Sequence, residues 1–566
     1  MCGINGFNWS DATLIKKMNQ SIKHRGPDDD GYFVNKVLSL GHTRLSVIDL
    51  SEKAKQPMAN EDKSLWLIYN GEIYNFQNLK EKLEKQGHIF KSNTDGEVIL
   101  HSYEDNGINS FSDFNGIFAF CLYDINKQLL ILVRDRLGVK PLYYFYNANK
   151  LVFSSEIKAF LNFYEILPIL DSTAILEYFF TRNISSESFF ENIRTLKPGT
   201  YLTYDLHNNI LSIKEYFNIY NVVFRENYLN NKKRNEKKLI DELDNLLNIV
   251  VRDQLYADIP VGTICSGGID SSLLTAIAKR YSNNLKIYNV RVNDEKLDES
   301  KYAKRVADYL GLRLIEEELN ENNFNELYKK CITLADLPLI HTNSVGIYLI
   351  SKRAKDDGIS VLLSGEGADE LFGGYPQYKY FFRRLFLTKT PILNFMNERI
   401  RNFFYFKNFT SYMLDDANYF ITQYNNVPWN TERNNVNKRF YEALNFLEDN
   451  FEREMSSYIL KDLKYYLVPL LRRADRMAMG VGLEMRVPYL DNRVVNFAIN
   501  LPLKYKVSYF KTKYLLKKVA ERYLPKDIIY RKKMGFGIPT EKWLGDKNLD
   551  FKKVMYADWE KIYFCR

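Results

Sequence analysis

The spacing of apolar residues divides the chain into a strand-rich first part and a second part in which strands alternate with helices. Short runs rich in β-branched and aromatic residues predict strands in the first part. These runs are 38–48, 64–69, 117–123, 129–134, 142–145 and 151–154. Apolar residues at helical spacing predict helices at 76–86 and 96–105. The pattern indicates an α+β domain of packed layers over residues 1–215.

The second part begins after a polar stretch. Residues 216–236 are rich in Asn, Lys, Arg and Glu, and we interpret them as a solvated linker. An amphipathic helix around 239–251 follows, then a buried strand at 259–265, a helix at 273–280 and a second strand at 360–363. This alternation predicts an α/β domain with a parallel sheet and many helices over 237–566. We interpret 376–460 as helices packed around that sheet.

Composition limits the classes of protein to consider. With 566 residues the chain is too long for one core, and its net charge of +9 is mild, so no nucleic-acid partner is expected. The five cysteines are widely spaced without a CxxC pair, which argues for a reducing compartment and against a disulfide framework or a zinc site. No apolar run approaches the ~18 residues of a membrane span, and no signal-peptide pattern is seen. We therefore expect a cytoplasmic protein without a membrane partner.

The second residue is a candidate nucleophile. Removal of Met1 would leave Cys2 with a free α-amine beside its thiol, which gives the nucleophile its own general base. Cys2 leads directly into an apolar strand. Asn70 and Gly71 follow another strand and suit an oxyanion hole, and Asp95 presents a carboxylate at a helix start.

A glycine-rich loop in the second part is a candidate phosphate site. The sequence SGGIDSS at 266–272 lies between a strand and a helix, which is the geometry that directs N–H groups at phosphate. It lacks the GK[ST] of a Walker loop. Asp270 in this loop and Asp369, which follows the strand at 360–363, are the predicted ligands of Mg²⁺.

At these residues the first part resembles the class II glutamine amidotransferases, an N-terminal-nucleophile family. The resemblance implies an αββα layered sandwich in which Cys2 attacks the side-chain amide of glutamine, with Asn70 and Gly71 stabilising the oxyanion. The implied glutamine-binding residues are Arg44, Leu45, Ile48, Asn70, Gly71, Glu72 and Asp95.

The second part resembles the ATP pyrophosphatases, and nearly the whole chain is similar to the glutamine-hydrolysing asparagine synthetases of the B type. The resemblance implies that aspartate, glutamine, ATP and water become asparagine, glutamate, AMP and pyrophosphate through an acyl-adenylate, with Mg²⁺ as cofactor. It assigns catalytic roles to Glu366 and Lys533. The implied ATP-binding residues are Ile264, Ser266, Gly267, Gly268, Asp270, Ser271, Ser272, Val290, Ser364, Gly365 and Lys533.

The acceptor of the nitrogen stays open. Leu337 stands beside Pro338 where the family often has an acidic residue, so the alternative is the same chemistry on another carboxylate, such as a uronic-acid sugar. Cys2 argues against a β-lactam-forming synthetase, and the pyrophosphatase loop excludes a sugar-phosphate amidotransferase. A non-enzymatic regulator with inactive catalytic sites would be expected to lack Asp270, Arg44 or Asn70, and all three are present. The sequence does not determine the oligomeric state, and a homodimer stays open.

Overall fold

The computed structural model describes residues 2–163, 166, 169–181, 184, 186, 188–339, 341–388, 428–508, 510–543 and 551–564. The strands in these ranges are β1 Gly3–Phe7, β2 Asp29–Val34, β3 Ser39–Arg44, β4 Met58–Ala59, β5 Leu65–Ile73, β6 Gly116–Asp124, β7 Leu129–Arg134, β8 Tyr143–Asn147, β9 Lys150–Ser154, β10 Ile193–Thr195, β11 Thr200–Asp205, β12 Ile210–Glu215, β13 Val261–Ile264, β14 Lys286–Val292, β15 Leu314–Leu319, β16 Val361–Leu363 and β17 Glu484–Arg486.

The α-helices in the same ranges are α1 Ala12–Ser21, α2 Phe76–Lys85, α3 Glu97–Asn106, α4 Ser172–Thr181, α5 Arg225–Lys233, α6 Glu236–Gln254, α7 Ile269–Lys279, α8 Ser300–Leu310, α9 Glu321–Ala335, α10 Ser344–Asp356, α11 Ala368–Phe372, α12 Pro376–Thr388, α13 Pro428–Ala443, α14 Asn450–Leu460, α15 Asp462–Tyr465, α16 Leu467–Met479, α17 Asn492–Ile499, α18 Tyr514–Ala520, α19 Lys526–Ile529, α20 Thr540–Trp543 and α21 Phe551–Phe564. None of these described helices has both the length and the hydrophobicity needed to cross a membrane.

Two antiparallel sheets form the first domain. Their strand orders are β10-β8-β9-β1-β3-β2 and β12-β11-β7-β6-β5-β4. Their inner faces share one apolar core, to which Ile4 of β1, Ile68 of β5 and Leu132 of β7 contribute. Helix α1 packs on the outer face of the first sheet, and α2 and α3 pack on that of the second. The predicted αββα sandwich is confirmed.

A parallel sheet forms the second domain, as predicted. Its strand order is β15-β14-β13-β16-β17, and every neighbouring pair is parallel. The loops after β13 and β16 leave adjacent strands at the same edge of the sheet. An ideal Cβ on Gly365 would lie 3.1 Å from the Cβ of Asp270, so the two loops are in contact. This is the edge at which ligands bind in open parallel sheets.

The interpretation of 216–236 as a solvated loop was wrong, while its place as the linker between the two domains stays a prediction. Residues Arg225–Lys233 form helix α5, and α6 begins at Glu236. Tyr228 and Asn231, three residues apart on one face of α5, are both buried. Tyr228 donates a hydrogen bond to Glu452 at 2.9 Å, and Asn231 donates to the carbonyl oxygen of Asn500 at 3.1 Å. The polar composition concealed an amphipathic helix because its buried face is made of a tyrosine and an asparagine rather than aliphatic residues.

The interpretation of 376–460 as packed helices holds for its described parts. Helices α12, α13 and α14 lie there, and Tyr378, Met455 and Ile459 share a small core with Leu503 and Val507. The remainder of that stretch, 389–427, lies outside the described residues.

Candidate active site

Cys2 immediately precedes β1, which pairs with β3 on one side and β9 on the other. This central position buries Cys2 to 7% exposure. Its backbone N–H donates to Oδ1 of Asn70 at 3.0 Å, and its Sγ lies 4.0 Å from the carbonyl oxygen of Leu45. Burial raises the pKa of the Cys2 thiol. The thiol therefore needs a nearby base to become a nucleophile, and its own α-amine is the closest candidate once Met1 is removed.

Asn70 and Gly71 lie on β5 beside Cys2. Nδ2 of Asn70 is buried and has no hydrogen-bond partner among the described residues. A buried donor without a partner is costly unless a ligand supplies the acceptor. A Cβ on Gly71 would lie 2.1 Å from the carbonyl oxygen of Ile117, so only glycine fits there. The pair leaves an available amide donor next to the thiol.

The other predicted glutamine-binding residues surround this point. Leu45 and Ile48 are buried in the core shared by the second sheet and its helices. Arg44 donates to the carbonyl oxygens of Ser51, at 3.0 Å, and Asp49. These two hydrogen bonds hold Asp49 and Ser51, in the loop after β3, against the side chain of Arg44.

Asp95 and Glu72 are already engaged. Asp95 accepts hydrogen bonds from the Tyr69 hydroxyl and the Ile73 N–H, both at 2.7 Å. Oε1 of Glu72 lies 3.1 Å from Nη2 of Arg486, which belongs to the parallel sheet. Burial raises the pKa of Glu72, while the charge of Arg486 opposes that rise.

A buried charge cluster joins the two domains beneath Cys2. Nε of Arg25 donates to the carbonyl oxygen of Cys2 at 3.1 Å, and its Nη1 lies 2.9 Å from both Glu156 and Asp475. Arg476 lies 2.7 Å from Glu156 and 3.2 Å from Asp336. Paired charges of this kind tolerate burial because each has an opposite partner.

The loop after β13 has the form that close approach to a phosphate requires. Gly267 has φ 69°, and a Cβ there would lie 2.5 Å from the backbone of Ala303. The hydroxyl of Ser271 accepts from the Ser266 N–H at 3.1 Å, so the loop is closed on itself. Gly268 caps helix α7, and Ser272 is buried in its first turn. The helix N-terminus therefore faces the same space as the loop.

A lysine that the sequence reasoning missed lies between the two acidic loops. Nζ of Lys513 is 2.5 Å from Asp270 and 2.6 Å from Asp369. Lys533 also contacts Asp369, at 2.5 Å. Although burial disfavours a charged carboxylate, the two lysines lower the pKa of Asp369 to about 2. Their positive charges line the place where the leaving pyrophosphate of ATP is expected.

These residues also fit a divalent cation. Oδ1 of Asp270 is buried and has no hydrogen-bond partner among the described residues. Carboxylate oxygens are the ligands that Mg²⁺ prefers. Asp270 and Asp369 both contact the ammonium group of Lys513, so the structure brings the two predicted metal ligands together.

The remaining predicted residues belong to β13, to β14 and to the loop after β16. Ser364 follows β16, and its N–H donates to the carbonyl oxygen of Arg486 at 2.9 Å. Oε1 of Glu366 lies 3.2 Å from Nη2 of Arg473. Ile264 ends β13, and Val290 lies in the neighbouring strand β14.

A small cavity adjoins Glu366 and the charge cluster. Arg473, which pairs with Glu366, and Arg476, which pairs with Glu156, both line it. The other lining residues are Tyr178, Ile184, Ala335, Leu337, Pro338, Leu339, His341, Ser344, Pro469, Arg472 and Met477. Its wall is therefore mostly apolar with arginines at intervals.

Sequence reasoning gave no role to Lys513 or Arg25. Lys513 precedes helix α18 with φ 53°, and nothing in its neighbourhood in the sequence distinguishes it from Lys517 or Lys518. Arg25 ends a 3₁₀ turn that follows α1, and its partner Asp475 is 450 residues away. A local pattern contains no signal for such contacts.

Two family models match the chain. The glutamine amidotransferase domain model matches residues 1–217, and the asparagine synthase model matches residues 242–559. The chain is 33% identical to asparagine synthetase [glutamine-hydrolyzing] 1 of Bacillus subtilis (strain 168), over 96% of this chain and 88% of that protein. It is 36% identical to putative asparagine synthetase [glutamine-hydrolyzing] 2 of Methanocaldococcus jannaschii, over 69% of this chain and 79% of that protein. It is 26% identical to amidase chyE of Penicillium rubens, over 96% and 90%.

The fold and the two sites define a glutamine-dependent amidotransferase joined to an ATP-using synthetase domain. With the models matching over both domains, the chain belongs to the asparagine synthase family.

Proposed function

We propose that the protein makes asparagine from aspartate, with glutamine as nitrogen donor and ATP converted to AMP and pyrophosphate. The observation that carries the proposal is the pairing of Cys2 with Asn70, whose Oδ1 accepts the Cys2 N–H while its Nδ2 stays without a partner in the described structure. A nucleophile beside a spare amide donor is the arrangement that amide hydrolysis requires. The relatives named as asparagine synthetases support aspartate as the acceptor.

The first half of the reaction releases ammonia. The α-amine of mature Cys2 takes the proton of the thiol, and the thiolate attacks the side-chain carbonyl carbon of glutamine. Nδ2 of Asn70 and the N–H of Gly71 stabilise the oxyanion. The protonated α-amine passes that proton to the amide nitrogen, which leaves as ammonia as the thioester forms, and water then hydrolyses the thioester to glutamate and restores the thiol. In this proposal Arg44 binds the α-carboxylate of glutamine, Glu72 and Asp95 bind its α-amine, and Leu45 and Ile48 line the pocket.

The second half activates the acceptor. The acceptor carboxylate attacks the α-phosphorus of ATP, which forms an acyl-adenylate and releases pyrophosphate. Lys513 and Lys533 counter the negative charge that develops on the leaving group. Asp270 and Asp369 would hold Mg²⁺, which supplies further positive charge to the phosphates when bound. The remaining proposed contacts to ATP come from Ile264, Ser266, Gly267, Gly268, Ser271, Ser272, Val290, Ser364 and Gly365.

The last step joins the halves. Ammonia attacks the acyl carbon of the adenylate, AMP leaves, and Glu366 accepts a proton from the attacking nitrogen. Ammonia must stay unprotonated on its way from Cys2. The cavity that adjoins the charge cluster and Glu366 supports a protected route, because its mostly apolar wall and the arginines in that wall both disfavour the ammonium ion.

The alternative is the same chemistry on another carboxylate, such as that of a uronic-acid sugar. Leu337 lines the cavity together with Arg473. An acidic residue at position 337 could bind the α-amine of aspartate, and leucine cannot, which favours a different acceptor. The relative named as an amidase shares the architecture over most of its length.

One experiment separates the two. Pyrophosphate and AMP release are measured with ammonium as nitrogen donor over a panel of carboxylic acids that contains aspartate and uronic-acid nucleotide sugars. We expect release with aspartate and formation of asparagine. Release with a uronic-acid sugar but not with aspartate would establish the alternative, and conversion of ATP to ADP would overturn both. Homodimeric assembly and a cytoplasmic location stay predictions.

A further inference from the structure

A cluster of imidazoles and carboxylates lies on the outer helical layer of the first domain, away from both sites. Glu61 follows β4, His88 follows the end of α2, and His101 and Glu104 lie one helical turn apart on α3. One ligand atom from each of Glu61, His88 and His101 lies within 4.8 Å of the others. Three separate segments of chain therefore present metal-binding atoms to one point.

The two imidazoles present the same nitrogen to this point. Nδ1 of His88 lies 3.5 Å from Oε2 of Glu104, and Nδ1 of His101 lies 2.7 Å from the same oxygen. Oε2 of Glu61 lies 3.7 Å from Nδ1 of His101. The donor atoms of a tetrahedral zinc site lie roughly 3.3 Å apart, so these spacings approach that geometry.

Each imidazole also has a carboxylate on its far side. Nε2 of His88 lies 2.9 Å from Oδ1 of Asp105. Nε2 of His101 is buried without a hydrogen-bond partner in the described structure, and Oε1 of Glu97 lies 3.7 Å from it. A carboxylate behind a histidine holds the tautomer that leaves the other nitrogen free to bind a metal.

Hydrogen bonds also fix the orientation of the Glu104 and Glu61 carboxylates. Oε1 of Glu104 accepts from Nδ2 of Asn60 at 2.7 Å, and Oε1 of Glu61 accepts from the Ile89 N–H at 3.2 Å. In both residues the amide contact uses Oε1, while Oε2 faces the imidazoles. His101 is fully buried, whereas Glu61 and Glu104 are partly exposed and leave an entry path for an ion.

We propose that Glu61, His88, His101 and Glu104 form a binding site for one zinc ion. Two imidazoles and two carboxylates suit zinc better than Mg²⁺ or Ca²⁺, which prefer oxygen ligands. The absence of a CxxC pair argues against a cysteine-based site, and this cluster contains no cysteine. Four protein ligands fill a tetrahedron, so the ion is structural: it fastens α3 to the end of α2 and the loop after β4.

The test measures zinc bound by the full-length chain carrying Cys2→Ala, because a thiol beside an amine would itself bind zinc. Chelator-treated protein is dialysed against increasing Zn²⁺ in excess Mg²⁺, which occupies sites made only of oxygen ligands, and bound zinc is determined by mass spectrometry. We expect about one zinc per chain. His88→Ala and Glu61→Gln, both at partly exposed positions, should each weaken binding by at least about 10-fold, since even the loss of a residue behind a ligand costs about 10- to 100-fold. His207→Ala, in an exposed turn, is the matched control and should bind as the parent does.

Cobalt(II) provides a second readout, since its visible absorption reports tetrahedral coordination. The band should appear in the parent and in His207→Ala, and disappear in His88→Ala. Equal zinc binding by His88→Ala, Glu61→Gln and the control would overturn the proposal. A parent chain that binds no zinc would also overturn it.

Discussion

Nη2 of Arg486 lies 3.1 Å from Oε1 of Glu72, so the last strand of the parallel sheet forms an ion pair with the wall of the proposed glutamine pocket. The same guanidinium contacts Glu484 and donates to the carbonyl oxygens of Gln254, at 2.8 Å, and Tyr256, at 2.7 Å. One buried arginine thereby satisfies groups from both domains. The proposed glutamine pocket is partly built by the synthetase domain.

Replacement of Arg486 by methionine should destabilise the protein by about 3–5 kcal/mol, because it leaves buried carboxylates without their counter-charge. The shift of the chemical-denaturation transition measures the loss. Arg305→Met is the matched control, since Arg305 forms an exposed ion pair with Asp527 at 3.0 Å, and it should change stability by at most about 1 kcal/mol. Equal effects of the two substitutions would contradict the structural role of Arg486.

Cys2→Ala should lower glutamine-dependent synthesis by more than about 1,000-fold and leave ammonium-dependent synthesis intact, because only the first half-reaction uses the thiol. Asparagine formation is measured with each nitrogen donor in turn. Cys331→Ala removes a buried thiol of α9 and should retain both activities. Undiminished glutamine use by Cys2→Ala would show that the nucleophile has been misassigned.

Lys513→Ala should lower synthesis from either nitrogen donor by about 100-fold or more, because it removes a charge that faces the leaving pyrophosphate. Glutamine hydrolysis at Cys2 should continue, and this shows that the variant is folded. Lys518→Ala, on the adjacent helix α18, removes a lysine that pairs with Glu521 at 3.0 Å and should be active. The proposed role fails if pyrophosphate release by Lys513→Ala equals that of Lys518→Ala.

The first domain should lose stability as the pH falls into the mildly acidic range, because His42 is buried in its neutral form. Burial lowers the pKa of His42 from its ordinary 6.5 to about 3, so the folded chain excludes a proton that the unfolded chain binds. Stability contributed by the neutral ring is present above pH 6.5 and is lost as pH falls toward 3. The slope contributed by one proton is about 1.4 kcal/mol per pH unit.

Denaturation of His42→Gln between pH 7 and pH 5 checks this expectation. The variant should lose stability with a shallower slope than the parent, whereas His207→Gln, in an exposed turn, should keep the parental slope. Identical slopes for the parent and His42→Gln would mean that another group titrates in this range.

Local patterns were sufficient for the fold class of each domain and for several strands of the first domain. The strands predicted at 117–123 and 129–134 correspond to β6 Gly116–Asp124 and β7 Leu129–Arg134, because both are apolar runs with clear ends. Helix α5 was missed since its buried face carries Tyr228 and Asn231, whose residue types also suit a loop. A composition rule cannot distinguish a polar helix packed on a partner from a solvated turn.

The sequence alone determined which chemical groups this protein has and the order in which its two domains follow one another, because each motif is contiguous and carries its own physical signature. Only the tertiary structure decided which charges meet. Lys513 reaches Asp270 across 243 positions of the chain, and Arg25 reaches Asp475 across 450. Such contacts depend on how buried surfaces pack, so no stretch of neighbouring residues specifies them.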